Sequence, residues 1–97
     1  MYIGKVTGSN MAFVYILQSE KTSKYYIGST NNLGRRLLEH NSGHTRSLLY
    51  QRPLKIVFKK KYSNSKEAQK IEFKLKRYKS RVIIQRIVAE GEIKLGP

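Results

Sequence analysis

One continuous apolar run, Ala12–Leu17, constrains the fold of this chain more than any other segment. It reads AFVYIL and is rich in β-branched and aromatic residues, which favour strands. A short run without polar alternation is typical of a strand in the middle of a sheet. Residues 1–10 before it show no sustained periodicity, and we interpret them as a flexible leader, a cloning remnant or an upstream start.

Two further segments have the pattern of strands. Tyr25–Ser29 follows the first strand after a polar connection over residues 18–24, so the two strands are predicted to form an antiparallel hairpin. Gly28 within it marks either a bulge or a close approach of the backbone. Leu54–Tyr62 is predicted to be the third strand, and its three consecutive lysines suit a charged sheet edge.

Polar capping residues mark the starts of three helices. Thr30–Asn32 supply the N-cap of a helix that is predicted to run to about Asn41. Asn64, with a glutamate three residues later, resembles a capping box and begins a helix that ends near Tyr78. Ser80 is predicted to cap a last, shorter helix. The order of elements indicates an α+β fold in which a small three-stranded antiparallel sheet is flanked by helices.

The length of 97 residues and the absence of cysteine limit the class of protein further. The length suits one domain, which we place at residues 11–90, with a frayed tail over 91–97. Zero cysteine excludes a disulfide scaffold, a thiolate zinc site and a cysteine nucleophile. No apolar run reaches the length of a membrane span and no signal peptide is apparent, so we expect a soluble cytoplasmic protein without a membrane partner.

The charge balance points to a polyanionic partner. Twenty lysines and arginines stand against six carboxylates, which gives a formal charge of +14. Such an excess is most often the electrostatic footprint of nucleic-acid binding. All six carboxylates are glutamates, whereas a two-metal nuclease needs several converging carboxylates. Any metal-dependent nuclease in this chain is therefore expected to hold one ion with few protein ligands.

Arg36 and His40 lie four residues apart on the first predicted helix. At 100° per residue they share one face with Leu33 and Leu37. An arginine fork suits bidentate binding of a phosphate, and a neutral histidine can move a proton near pH 7. The alternative is that both side chains lie at the rim of the core and meet solvent.

Glu72 lies within the apolar stripe of the second predicted helix, about 40° from Ala68. A buried carboxylate is costly unless it is paired or binds a metal. Three interpretations remain open on spacing alone: an ion pair with an arginine such as Arg36, a divalent-metal site, and partial exposure. The other members of the predicted stripe are Ile71, Leu75 and Tyr78.

Three of the seven tyrosines, Tyr15, Tyr25 and Tyr26, cluster on the paired strands. A phenol hydroxyl in a site can orient water, or take a proton if a metal and an arginine lower its pKa. Ordinary strand packing is one alternative. Stacking on unpaired bases is another.

At these residues the chain resembles the GIY-YIG nuclease domain, in particular its small stand-alone members of the excision-repair-nuclease or UPF0213 type. Four motifs occur in the family order: Phe13–Tyr15, Tyr26–Gly28, an arginine helix over 29–41 and a carboxylate helix over 65–76. The resemblance as a whole covers about residues 12–80. The first motif departs from the family pattern, because Phe and Val replace its Gly and Ile, but its tyrosine is retained.

The resemblance implies the same three-stranded fold and assigns roles to five residues. It implies that Tyr15 and Tyr26 lie near the attacking water and that Arg36 clamps the scissile phosphate. It implies that His40 is a proton relay or a phosphate contact, and that Glu72 is the protein ligand of one Mg²⁺ or Mn²⁺ ion. The ion would polarise the phosphate and help to neutralise the leaving oxygen.

The function that this resemblance implies is a metal-dependent endonuclease that hydrolyses DNA in repair or processing. Without a separate recognition module, we expect selection by DNA structure, such as flaps, branches or single strands, rather than by sequence. The alternative is a non-catalytic nucleic-acid-binding module on the same scaffold. A protein partner could contact apolar residues of the last helix, for example Ile84. The predicted nucleic-acid contacts are Gly28, Arg35, Arg46, Lys66, Lys70, Lys74, Arg77, Lys79 and Arg81.

Overall fold

The computed structural model describes residues 11–93. The predicted leader over 1–10, and residues 94–97 of the predicted tail, lie outside the described residues. The strands are β1 Ala12–Ser19, β2 Tyr25–Thr30 and β3 Leu54–Tyr62. The helices are α1 Leu33–Asn41, α2 Ser65–Tyr78 and α3 Arg81–Glu90, with a 3₁₀ helix at Arg46–Gln51. Within 11–93, no helix is long and apolar enough to span a bilayer.

The sheet has the strand order β2-β1-β3, and both pairings are antiparallel. The apolar run is therefore the central strand, as its composition predicts. Tyr15 of β1 lies opposite Gly28 in β2 and opposite Lys59 in β3. The irregular register falls between Ile16 and Leu17 in the β1–β3 pairing. Of the two possibilities predicted for Gly28, the structure gives the close approach of the backbone. The predicted α+β fold is confirmed.

Alternate residues of β1 pack into two different clusters. Val14 and Ile16 belong to the larger one, which also contains side chains of β3, α2 and α3. Tyr15 and Leu17 belong to the smaller one, together with Leu48 and Leu54, and leucines of α1 pack against it. Leu48 comes from the 3₁₀ helix, in a segment for which the sequence predicts neither a helix nor a strand. The sheet is thus covered on both faces, with the larger cluster on one face and the smaller cluster on the other.

Two apolar residues lie where they were not predicted. The sequence predicts Ile84 as an exposed partner contact, but Ile84 is only 5% exposed and packs in the larger core cluster. It lies three residues before buried Ile87, so the two share one face of α3. Val82 is 63% exposed on the same helix. Tyr78 was assigned to the core stripe of α2, yet it is 43% exposed, because the helix ends at that residue.

The last residue of α1 fastens that helix to the sheet. The Asn41 amide donates from Nδ2 to the carbonyl of Leu54 at 3.0 Å. Its Oδ1 accepts from the backbone N–H of the same residue at 2.8 Å. One side chain thereby satisfies both backbone groups at the start of β3. This contact fixes the end of the helix that carries the two candidate catalytic residues.

Replacing Asn41 by alanine is expected to destabilise the protein by about 2 kcal/mol, because two hydrogen bonds to a partly buried backbone are lost. Asn41→Asp keeps the acceptor and loses the donor, so it is expected to fall between alanine and the native residue. Urea denaturation followed by circular dichroism measures both changes. Equal stability of Asn41→Ala and the native chain would contradict this role.

Candidate active site

A groove of about 740 Å³ lies at the edge of the sheet formed by β2. Its walls come from both faces of the sheet, since α1 contributes from one side and α2 from the other. The predicted catalytic residues converge there, although the sequence distributes them over four elements. The lining includes Tyr15, Tyr26, Gly28, Arg36, His40 and Glu72.

Gly28 lets the phenol of Tyr15 reach this edge. A Cβ atom built on Gly28 would lie 2.5 Å from Cζ of Tyr15 and in closer contact with its hydroxyl oxygen. No side chain fits at that separation, so the tip of the phenol occupies the space that a larger residue 28 would need. The Tyr15 side chain, 5% exposed, is therefore held against the backbone of the edge strand.

A short hydrogen-bonded chain runs from Tyr15 through His40. The phenol oxygen lies 3.1 Å from Nε2 of the imidazole. The other ring nitrogen, Nδ1, lies 2.6 Å from Oγ1 of Thr45. His40 is 7% exposed, so both of its ring nitrogens are engaged in a largely dry environment. The chain can carry a proton inward from the groove.

Burial and Arg36 set the protonation of this chain. Burial raises the pKa of Tyr15 above 10.0, a shift that Arg36 opposes and Glu72 reinforces. Burial also raises the pKa of Tyr26. The pKa of His40 is lowered below 6.5, first by burial and then by the Arg36 charge. Near pH 7 the phenols are therefore protonated, and the imidazole is neutral.

The shift at His40 predicts how stability depends on pH. Because its pKa is lower in the folded chain than the unfolded value of 6.5, the unfolded chain binds this proton first as the pH falls. Its contribution to the free energy of unfolding is complete above pH 6.5 and is lost as the pH falls through the folded pKa. We expect His40→Gln to flatten this dependence in denaturation curves measured between neutral and mildly acidic pH. Parallel curves for the two proteins would disprove it.

Glu72 is held by two neighbours and is half-buried, with 21% of its side chain exposed. Its Oε1 accepts from the Ser29 hydroxyl at 2.5 Å, and its Oε2 lies 2.8 Å from Nζ of Lys76. The possible ion pair with Arg36 is therefore replaced by one with Lys76. The guanidinium of Arg36 instead lies 3.8 Å from Glu39, and its side chain is 42% exposed towards the groove.

The surroundings of Glu72 fit one divalent ion that is shared with a substrate. Within residues 11–93, no group of three or more histidine, cysteine, aspartate or glutamate side chains could enclose a metal. Mg²⁺ commonly takes one or two carboxylates, keeps several waters and completes its shell with substrate phosphates. A single carboxylate that faces an open, basic groove matches this donor set.

The predicted nucleic-acid contacts divide into two groups. Gly28, Lys79 and Arg81 line the groove. The remaining ones are exposed and belong to the outer surface of the described chain. Two of these have partners there: Arg35 lies 3.7 Å from Glu39, and the guanidinium of Arg77 lies 5.7 Å from the centre of the Phe73 ring. The others are Arg46, Lys66, Lys70 and Lys74.

Three neighbours of the predicted residues were not foreseen from the sequence. Lys76 could have been found, since a glutamate followed four residues later by a lysine is a favourable helical pair. Ser29 directly follows the second motif, but its contact with α2 crosses 43 positions of sequence. Thr45 lies in a segment without periodicity. The sequence holds no signal for either of these tertiary contacts.

The comparison with protein families assigns this fold to a class of nuclease catalytic domains. The model of the GIY-YIG catalytic domain matches residues 11–85, so the chain belongs to the GIY-YIG family. Domains of this family are nuclease domains, which imply a nucleic-acid substrate and generally use divalent metal ions.

Among curated proteins, the chain is similar to small UPF0213 proteins of bacteria. It is 39% identical to the UPF0213 protein of Streptococcus pneumoniae serotype 4, over 70% of this chain and 69% of that protein. It is 38% identical to that of Clostridium perfringens strain 13, over 69% and 72%. It is 31% identical to the UPF0213 protein YazA of Bacillus subtilis strain 168, over 79% and 81%. No solved structure gives a significant match.

Proposed function

We propose that this protein is a metal-dependent endonuclease that hydrolyses DNA phosphodiester bonds and selects its substrate by structure rather than sequence. Repair or processing of DNA in the bacterial cytoplasm is the setting that we infer. The observation that carries the proposal is the convergence of the hydrogen-bonded Tyr15–His40 pair, Arg36 and Glu72 in one basic groove. Binding alone does not require a proton-transfer chain beside a half-buried carboxylate.

The proposed proton path begins at Tyr15. As a phenol with a raised pKa, Tyr15 accepts a proton from the attacking water only if its own proton moves on to Nε2 of His40. The lowered pKa of His40 keeps that nitrogen free to accept it. Thr45 would then accept from Nδ1–H and hold the required tautomer. The Tyr26 phenol lines the same groove, and its hydroxyl has no hydrogen-bond partner within residues 11–93, so we assign it to positioning the water.

The charged residues of the groove would hold the phosphate. The Arg36 fork, which is partly exposed and beside Tyr15, can bind two phosphate oxygens and stabilise the charge of the transition state. Glu72 would hold one Mg²⁺ or Mn²⁺ ion, which when bound supplies Lewis-acid polarisation of the phosphate and neutralises the leaving oxygen. Ser29 orients the carboxylate for that purpose.

The proposal is tested by cleavage of end-labelled DNA. Single-stranded, duplex, flap and branched substrates are incubated with the pure protein in Mg²⁺, in Mn²⁺ or in EDTA. We expect metal-dependent cuts, with flaps, branches or single strands cut in preference to plain duplex. Binding of all substrates without cleavage would overturn the proposal and favour the non-catalytic binding module.

A further inference from the structure

The groove continues beyond the catalytic residues into a positively charged end, which we call the basic arm and define as Lys24, Tyr25, Lys79 and Arg81. Five lysines and arginines line the whole groove, against the single carboxylate of Glu72. A cleft with one dominant sign of charge focuses its field and attracts ligands of the opposite sign. The basic arm is therefore suited to the continuation of a bound polyanion.

Arg81 is held in place within the basic arm and still exposed. Its guanidinium carbon lies 4.8 Å from the centre of the Tyr25 ring, and Nη1 donates to the carbonyl of Ser23 at 3.1 Å. The ring of Tyr25 in turn packs against the larger core cluster. A fixed, exposed guanidinium beside an aromatic ring is a surface on which an unpaired base can stack.

The backbone conformation of Lys79 is a second reason to regard the basic arm as a binding surface. It ends α2 in the left-handed conformation, with φ 46° and ψ 38°. Glycine is the residue usually found there, because a side chain is strained in that region. Lys79 nevertheless occupies this position, and it is one of the residues that line the groove. Non-glycine residues in sparsely populated backbone regions cluster at functional sites.

We propose that the basic arm binds an unpaired DNA strand next to the bond held at the active site. One base stacks on the Arg81 guanidinium, and backbone phosphates contact Lys24 and Lys79. The groove that the basic arm shares with the catalytic residues has a volume of about 740 Å³, which gives room for a short piece of single strand. The proposal rests on the proposed function for DNA as substrate, and it adds that the substrate is single-stranded on one side of the cut.

The test compares Arg81→Gln with Arg86→Gln, which makes the same change at an exposed position of the same helix outside the groove lining. Fluorescence anisotropy in EDTA measures binding of a labelled oligothymidylate of about 12 nucleotides and of a duplex of the same length. We expect Arg81→Gln to weaken single-strand binding about tenfold and duplex binding less than about twofold. Arg81→Lys keeps the charge but not the planar guanidinium, so its single-strand binding is expected to stay nearly as weak as that of Arg81→Gln.

Three results would overturn the proposal. They are an equal loss in Arg81→Gln and Arg86→Gln, an equal loss on single strand and duplex, and full recovery in Arg81→Lys. Lys79→Gly keeps the test informative if Arg81 variants fold poorly, because glycine suits the left-handed position and the variant is expected to fold at least as well. It should still lose several-fold in single-strand affinity. Unchanged affinity would count against the proposal.

The outcome is separable from that of the proposed function, because binding in EDTA does not depend on cleavage. Loss of single-strand binding in Arg81→Gln, together with no metal-dependent cleavage by the native protein, would reject the nuclease function and keep the strand site. An inactive Glu72→Gln protein together with a neutral Arg81→Gln change would reject the strand site and keep the nuclease.

Discussion

Glu72→Gln is expected to lower DNA cleavage by at least about 10²-fold while leaving DNA binding intact. Glutamine has nearly the same shape and keeps an oxygen that can accept from the Ser29 hydroxyl. It loses the negative charge that would hold a divalent ion, and it releases Lys76 from its ion pair. Binding should therefore be equal to that of the native chain or slightly stronger, since the groove becomes more positive.

Glu67→Gln is the matched control for this change. It lies on the same helix and undergoes the same loss of charge, but it is exposed and outside the groove lining. Cleavage rates in Mg²⁺ and anisotropy in EDTA are measured on all three proteins. The assignment of Glu72 fails if its variant cuts at the native rate, or if Glu67→Gln loses activity equally.

Gly28→Ala is expected to have the second large effect, because a single methyl group enters space that the Tyr15 phenol occupies. Relief requires the ring or the strand to move, which costs about 1–3 kcal/mol of stability in a packed interior. Displacement of the phenol also disturbs its contact with His40. A misplacement of about 1 Å can cost about 10²-fold in rate, so we expect cleavage to fall by at least that factor.

Gly34→Ala separates this effect from the general consequence of replacing a glycine. Its added Cβ meets nothing closer than 3.9 Å, and the helical position of residue 34 favours alanine. We expect Gly34→Ala to be neutral or slightly stabilising. Combining Gly28→Ala with Tyr15→Leu should remove most of the extra destabilisation, because the ring is gone. Urea denaturation of the four variants measures this coupling, and additive effects would contradict the contact.

Local sequence signals predicted the elements of this fold well. Strand propensity determines β1 and β3, and side chains that accept from backbone N–H groups determine where the three helices begin. Both effects act within a few positions of sequence. Asn32, Asn64 and Ser80 all cap their helices in the structure. The 3₁₀ helix was missed because its six residues carry no periodic pattern and one buried residue, Leu48, anchors it from a distance.

The candidate site was predictable in its members but not in its connections. The motif order selects Tyr15, Arg36, His40 and Glu72, and the structure brings all four to one groove. Two of the partners that hold them, Ser29 for Glu72 and Thr45 for His40, lie on other segments of the chain, and helical periodicity cannot reveal those contacts. The exposure predicted for Ile84 was wrong for a similar reason, because the sequence of a short helix does not show which of its apolar residues another element will bury.

The two contacts of the Glu72 carboxylate allow folding, DNA binding and cleavage to be separated in time. Ser29 and Lys76 already satisfy both carboxylate oxygens, so folding does not wait for a cation, unlike small domains whose apo form is unfolded. A sample in EDTA should therefore be folded and should load DNA normally. Adding the ion in a rapid-mixing device would then start one synchronous round of cutting, which makes the first turnover directly observable.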